Sequence, residues 1–296
     1  MTQLLDFLAK TRLLWLITPA AGWLFFFFLV PLFIILVYSF LERNQYGGVI
    51  ANFTLENYHN VLNPVFLKII LYSLWIAIIT TVICLVIGYP VAYYISTRRK
   101  PSVKNSLILL VILPFWTNFL VRTYAWLIIL REGGLINTFL MQLGLIDTPI
   151  KLLFTKFAVI VGLVYGYLPF MILPLYASME KIEKSMIEAA YDLGANRLQV
   201  LWRILIPLTA PGIFAGSIMV FIPTLGAYIT PDLLGGAKNM MIGNLIQHQF
   251  LKMRNWPFGS SLSLIILAMV LIFLLFYIKL NEAEQKRSEI RVKVNA

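Results

Sequence analysis

Residues 180–207 read EKIEKSMIEAAYDLGANRLQVLWRILIP, and this stretch decides how the rest of the chain is understood. Ser185 followed three residues later by Glu188 has the form of a capping box, which predicts a short helix beginning there. Gly194 supplies the left-handed residue that ends it. Asn196 is then placed to cap a second helix, in which Leu198, Leu201, Trp202 and Leu205 recur at helical spacing. Pro207 falls where the chain turns back into an apolar run. The segment reads as helix, glycine turn, helix. Four basic residues would let such a pair lie on lipid headgroups. Glu180, Glu183, Glu188 and Asp192 offset that charge, and Ala189-Ala190 make a small flat face suited to docking on a protein. On the residues alone both readings stay open.

Outward from this loop the chain is greasy. Of 296 residues 60% are hydrophobic and 12% charged, against roughly 45–50% and 25% in soluble proteins. A cytosolic enzyme, a disordered chain and a secreted disulfide scaffold are excluded, the last also because Cys84 is the one cysteine. Uncharged stretches run Leu13–Leu41, Ile69–Thr97, Phe157–Met179, Ile204–Pro231 and Asn255–Ile278, and a sixth, Asn105–Leu130, is interrupted by Arg122 alone. A helical span takes ~20 predominantly apolar residues. The expectation is therefore an all-α polytopic membrane protein of six transmembrane helices. They form one permease domain over 1–296, with spans near 14–40, 69–97, 105–130, 157–179, 208–231 and 257–279. The first run far exceeds the 7–15 residues of a signal peptide and is kept as a span. Prolines within the spans predict kinks.

The net charge of +11 is unevenly placed. Fifteen Lys and Arg fall in the N-terminal segment (Lys10, Arg12), the 98–104 loop, the 180–203 loop and the C-terminal tail, against eight in the opposite loops. Cationic loops stay inside. Both termini and residues 180–207 are thus expected on the cytoplasmic face, and the charge calls for membrane lipid rather than nucleic acid.

The loop resembles the EAA loop of ABC-importer permeases, on Glu188-Ala189-Ala190, Gly194 and Ile204-Leu205-Ile206-Pro207, with Ile206 standing where that family has leucine. The resemblance implies a type I ABC-importer permease fold. It also implies that Glu188, Ala189, Ala190, Gly194, Ile204 and Pro207 form the coupling element, Glu188 touching a separate ATPase and Gly194 permitting the turn. The chain has no phosphate loop of its own; Gly235-Gly236-Ala237-Lys238 lacks the spacing. No catalytic residue, metal site or cofactor is expected on it, ATP and Mg belonging to the ATPase.

Further segments narrow the likeness. Leu113–Asn118, Arg122-Thr123-Tyr124, Gly144–Pro149, Gly162–Tyr165, Leu168–Phe170, Pro174–Tyr176, Asp232–Asn239, Ile242–Asn244 and Asn255–Gly259 resemble the spermidine/putrescine permeases of the PotB type. That likeness implies a subunit in the bacterial inner membrane working with a PotC-type second permease, a PotA-type ATP-binding dimer and an extracytoplasmic PotD-type polyamine-binding protein. A polycation favours aromatic walls, each ring attracting an ammonium by ~0.5–2 kcal/mol. Trp116, Asn118, Tyr124, Tyr228 and Asp232 are the candidate pathway residues. Trp126 and Tyr165 read better as an interfacial belt. Asp232 either pairs with an ammonium, caps a helix end or meets Lys238. Arg122 would repel a polycation and reads as a structural tie. Two alternatives stand beside polyamine transport: the same machine for another small solute, and a secondary transporter without an ATPase. The lack of acids inside the spans and of detectable repeats weighs against the second.

Overall fold

The computed structural model describes residues 17–294; Lys10, Arg12 and the start of the first expected span at residue 14 lie outside them. In chain order the elements begin with α1 (Ile17–Ser39), β1 (Leu41–Arg43), β2 (Val49–Phe53), α2 (Glu56–Val61) and α3 (Pro64–Ser96). Next come α4 (Pro101–Trp116), α5 (Phe119–Leu130), α6 (Leu135–Gln142), α7 (Lys156–Met179) and α8 (Lys184–Asp192). The last are α9 (Arg197–Leu225), α10 (Ile242–Gln247) and α11 (Trp256–Val294). The chain, read above as one permease domain, forms two compact units: the described residues up to Asn63 with those from Ile246 on, and Pro64–Leu245.

Five helices are long and apolar enough to cross a membrane, and the bent pair Pro101–Trp116 and Phe119–Gln142 counts as a sixth if it is one span. The third span, expected unbroken over 105–130, is two helices. Pro101–Trp116 and Phe119–Gln142 meet at 87°. Pro114 cannot donate a backbone N–H, the Thr117 hydroxyl bonds back to the Pro114 carbonyl at 2.7 Å, and Asn118 caps the new helix by accepting from Leu120 N–H at 2.8 Å. The fifth helix also departs from expectation. It is continuous from Arg197 through Pro207, with a π turn at Leu201–Leu205, and ends at Leu225 rather than near 231. Counting uncharged residues overshoots there because the apolar residues after Gly226 do not continue the helix.

In the first unit α1 packs along α11, and between α1 and α2 the chain makes an antiparallel hairpin of β1 and β2. Gly47 and Gly48 turn it with φ of +91° and +97°. The Gly48 N–H donates to the Arg254 carbonyl at 3.1 Å, and Arg43 Nη2 donates to the Met253 carbonyl at 2.8 Å. Phe40 stacks on Phe53, and the Asn57 amide donates to the carbonyls of Ser39 and Leu41. This small cap follows from its turn residues, yet the charge-free reading of 13–41 hid its first strand.

The second unit is built on α3, α7 and α9. Cys84, Ala92, Met171, Ile172, Leu175 and Val220 form its largest buried cluster. In hydrocarbon no hydrophobic force pulls apolar helices together, so close approach between small residues does the work. A Cβ on Gly212 would lie 2.5 Å from Ser178 Cβ and 2.7 Å from the Pro174 carbonyl; one on Gly216 would lie 2.7 Å from Met171 Sδ. Gly88 meets Met171 in the same way at 3.1 Å. Thr209 and Thr224 bury their hydroxyls by donating to carbonyls one turn back, so they cost no unsatisfied group.

Gly212→Leu should wedge α9 from α7 and cost ~1–3 kcal/mol by overpacking. The expected readout is a lowered thermal midpoint of the detergent-solubilised protein. Gly22→Leu, where a side chain meets open space on α1, should leave it unchanged; equal midpoints for both variants would refute the packing argument.

Candidate functional site

Residues 180–207 fold into a tight joint. Helix α8 begins one residue before Ser185, with Glu183 as its N-cap residue, and the Ser185 hydroxyl donates to the Glu183 carboxylate at 3.2 Å. The capping box expected at Ser185–Glu188 is therefore not formed: Ser185 already lies in the first turn, and a charged acceptor two residues back takes its proton. The box lies at the next helix instead. Asn196 Oδ1 accepts from Gln199 N–H and Gln199 Oε1 from Asn196 N–H, both at 2.8 Å. Between the helices the chain makes a full Schellman closure. Gly194 sits at φ +82°, its N–H donates to the Tyr191 carbonyl at 2.9 Å, and Ala195 N–H reaches the Ala190 carbonyl at 3.0 Å.

The joint is locked from below. Ala190, Val200 and Leu205 are buried together, with Ile182, Ile187, Leu201 and Ile204 packed against them. Ala189-Ala190 do not share one flat face: Ala190 belongs to this cluster while Ala189 is exposed. The apolar row of the second helix also divides. Leu205 is buried, but Leu198 and Trp202 face outward, as do Met186 and Leu193, the last 90% exposed. Glu188 is exposed and Pro207 lies on the surface of the continuous α9. The π turn before Pro207 lets Ile206 N–H bond to the Leu201 carbonyl, five residues back, and carries the helix past a residue with no N–H. At the joint's root Lys104 Nζ contacts both Glu180 carboxylate oxygens, at 2.6 and 2.8 Å. As a partly exposed pair it contributes no more than about 1 kcal/mol, but it fixes the start of α4 against the end of α7.

The candidate pathway residues fall into two groups. Trp116, 74% exposed, and Asn118 flank the α4–α5 break, with the exposed Tyr124 on α5. Tyr228 and Asp232 lie on the segment after α9, where Asp232 N–H donates to the Tyr228 carbonyl at 3.0 Å. Both side chains are exposed, and Asp232 makes no ion pair with Lys238 among the described residues. No hydrogen bond or ring contact joins the two groups among the described residues. Trp126 and Tyr165 meet edge to face at 5.6 Å, a packing contact. Arg122 is 9% exposed, its guanidinium lying 5.5 Å over Phe115 and 5.6 Å over Phe119, with Nε and Nη1 unpartnered. Those two nitrogens make no hydrogen-bonded tie among the described residues.

What holds the second group was missed by the sequence reading. Residues 226–245 are not a free loop but pack into the unit. A Cβ on Gly243 would fall 2.6 Å from the carbonyl oxygens of Gly226 and Ala227. Asn244 donates to the Tyr228 carbonyl at 2.6 Å and accepts from Met241 N–H. Ser73 Oγ accepts from Ile242 N–H at 2.8 Å. Asn239 donates to the Gly235 carbonyl at 2.7 Å and takes the Tyr72 hydroxyl on Oδ1. The signal lay in the buried Asn239 and Asn244, polar side chains that need partners once buried.

Residues 85–281 match the family described as binding-protein-dependent transport system inner membrane component. The chain belongs to that family. It is a multi-pass membrane permease, a transport component. Among curated relatives it is 46% identical over 275 residues to the spermidine/putrescine transport system permease protein PotB of Escherichia coli K12, covering 93% of this chain and all of the relative. It is 43% identical over 269 residues to the PotB of Haemophilus influenzae, covering 91% and 94%. Among solved structures it matches a bacterial ABC transporter involved in import of the acidic polysaccharide alginate, with a TM-score of 0.73 at 17% identity over 93% of this chain and 96% of that one. The MetNI methionine ABC transporter matches at 0.55 and 17% over 73% and 94%. These likenesses establish the importer-permease fold.

Gly194 isolates a backbone effect, since a side chain there meets open space. Gly194→Asn should therefore be tolerated and Gly194→Val should cost ~1–3 kcal/mol locally. Limited proteolysis of the joint should rank Val as fastest cut and Gly as slowest. Equal cutting of all three would show that the turn does not depend on φ.

Proposed function

We propose that this chain is the polyamine-conducting permease subunit of an ATP-driven importer, passing spermidine and putrescine through the bacterial inner membrane. The observation that carries the reading is the near-full-length likeness to spermidine/putrescine permeases. In this reading a PotC-type permease completes the pathway, a PotA-type ATPase dimer holds ATP and Mg, and a PotD-type protein delivers the polyamine. Both termini and the 180–207 joint face the cytoplasm.

The joint supports docking on a protein rather than on lipid. It is rigid, closed at both helix ends by backbone-level bonds, and it presents Glu188 and Leu193 outward beside the turn. A rigid knob transmits a push; a headgroup-lying helix pair does not need one. Glu188, Ala189 and Gly194 form the outward part of this coupling element, while Ala190 and Ile204 seat it and Pro207 follows its π turn. At the opposite end Trp116, Tyr124 and Tyr228 offer exposed rings for ammonium groups and Asp232 a carboxylate without an ion-pair partner among the described residues. Asn118 caps α5 and holds Trp116 and Tyr124 on either side of the bend.

Cells lacking this chain should lose uptake of labelled spermidine and putrescine, and regain it on complementation. Unchanged polyamine uptake with loss of another solute would assign the same machine a different cargo. Glu188→Cys tests the docking, because the remaining thiol, Cys84, is buried. In intact cells it should resist an impermeant maleimide, and in isolated membranes it should crosslink to the ATPase subunit. Labelling from outside the cell would reverse the orientation and reject the coupling role.

A further inference from the structure

Beneath the joint lies a cavity of about 270 Å³ that the coupling role leaves unexplained. Its wall carries four cations, Arg98, Arg99, Lys104 and Lys184, against one carboxylate, that of Glu180. That carboxylate is already bound through both oxygens by Lys104. Arg98 is held in place: its guanidinium lies 3.7 Å over the Tyr94 ring and Nε donates to the Tyr94 carbonyl at 3.3 Å. Its remaining N–H groups, and all those of Arg99, make no hydrogen bond among the described residues. Arg98 is half-buried and oriented while Arg99 and Lys184 reach the surface, so the cavity carries more positive than negative charge and an anion would complete it.

The position of the cavity selects the anion. It opens where α3 ends at Ser96, α4 begins at Pro101 and α7 ends at Met179, which with the cytoplasmic placement proposed above puts it near the inner headgroups. One side of it is apolar, from the half-buried Ile182 and Ile187, with the buried Met179 and Leu205 behind them. A small soluble anion has no use for that side; an amphiphile does. Arginine forks match phosphate oxygens, and basic pockets between spans on the cytoplasmic side take acidic lipid headgroups.

We propose that this cavity is a phosphate site filled by the headgroup of an anionic phospholipid. The occupant packs its glycerol and upper acyl carbons on Ile182 and Ile187 while Arg98 and Arg99 hold its phosphodiester. Because Ile187 and Leu205 also pack in the joint's buried cluster, an occupied cavity stiffens the seat of the coupling element. The site rests on the cytoplasmic placement proposed above, but it is tested without transport.

The assembled transporter is placed in nanodiscs of phosphatidylcholine with a minor share of phosphatidylglycerol, then extracted and weighed by native mass spectrometry. The wild-type complex should retain phosphatidylglycerol on this chain. The Arg98→Gln/Arg99→Gln double variant should retain about thirtyfold less, at roughly 1 kcal/mol per cation lost. Arg98→Lys/Arg99→Lys keeps the charge and should keep the lipid, which separates lost binding from lost folding. Lys151→Gln/Lys238→Gln, removing two cations elsewhere, should match wild type. Inorganic phosphate is the second arm, added to the wild-type complex. No displacement supports the lipid as occupant; phosphate retained in place of lipid overturns the lipid and leaves a soluble-phosphate site. Equal lipid on wild type and the Gln pair, or neither probe bound, overturns the site itself.

Discussion

Hydrocarbon offers no hydrogen bonds, so every backbone N–H and C=O at membrane depth must find its partner within protein. Regular helices meet that demand automatically. Among the described residues the helices break at Thr117–Asn118 and after Leu225, and in both a specific set of polar side chains takes up the freed groups. Asn118 and the Thr117 hydroxyl serve the first; Ser73, Asn239 and Asn244 serve the second. The breaks are therefore built features, and they are also where the exposed aromatic and acidic candidates stand. A span that ran straight through would bury Trp116 and Tyr228 in an ordinary helix surface; the break presents them.

The joint at 180–207 solves the opposite problem. Here water is available and rigidity is what must be made. A nine-residue helix is too short to be stable by itself, and α8 is held by its Schellman closure, by the Asn196–Gln199 box on the next helix and by burial of Ala190 against Val200 and Leu205. These are local and mutually supporting, so the outward surface can be apolar and charged without collapsing inward. The cavity under it carries more cations than carboxylates, so the same seat holds an electrostatic surplus.

Arg122 illustrates how far charge alone can mislead. From sequence it is a lone cation inside a span and a functional signal by default. In the fold it lies against the faces of Phe115 and Phe119, one from each helix of the bent pair. The rings offset part of its desolvation cost.

The six apolar runs, the glycine turn at 194 and the cap at Asn196 were fixed by sequence, because hydrophobic length, positive φ and N-cap chemistry are local properties. Ser185 misled for the same reason: a pattern of two residues cannot reveal that Glu183 competes for the hydroxyl. The bend at Thr117–Asn118, the end of α9 at Leu225 and the folding back of residues 226–245 were decided by tertiary structure. The folding back depends on partners far along the chain, as Ser73 is to Ile242 or Tyr72 to Asn239, and on the room that Gly243 leaves beside the backbone of Gly226 and Ala227. Burial of a polar side chain becomes favourable only when its distant partner is in place, and no window of sequence contains both.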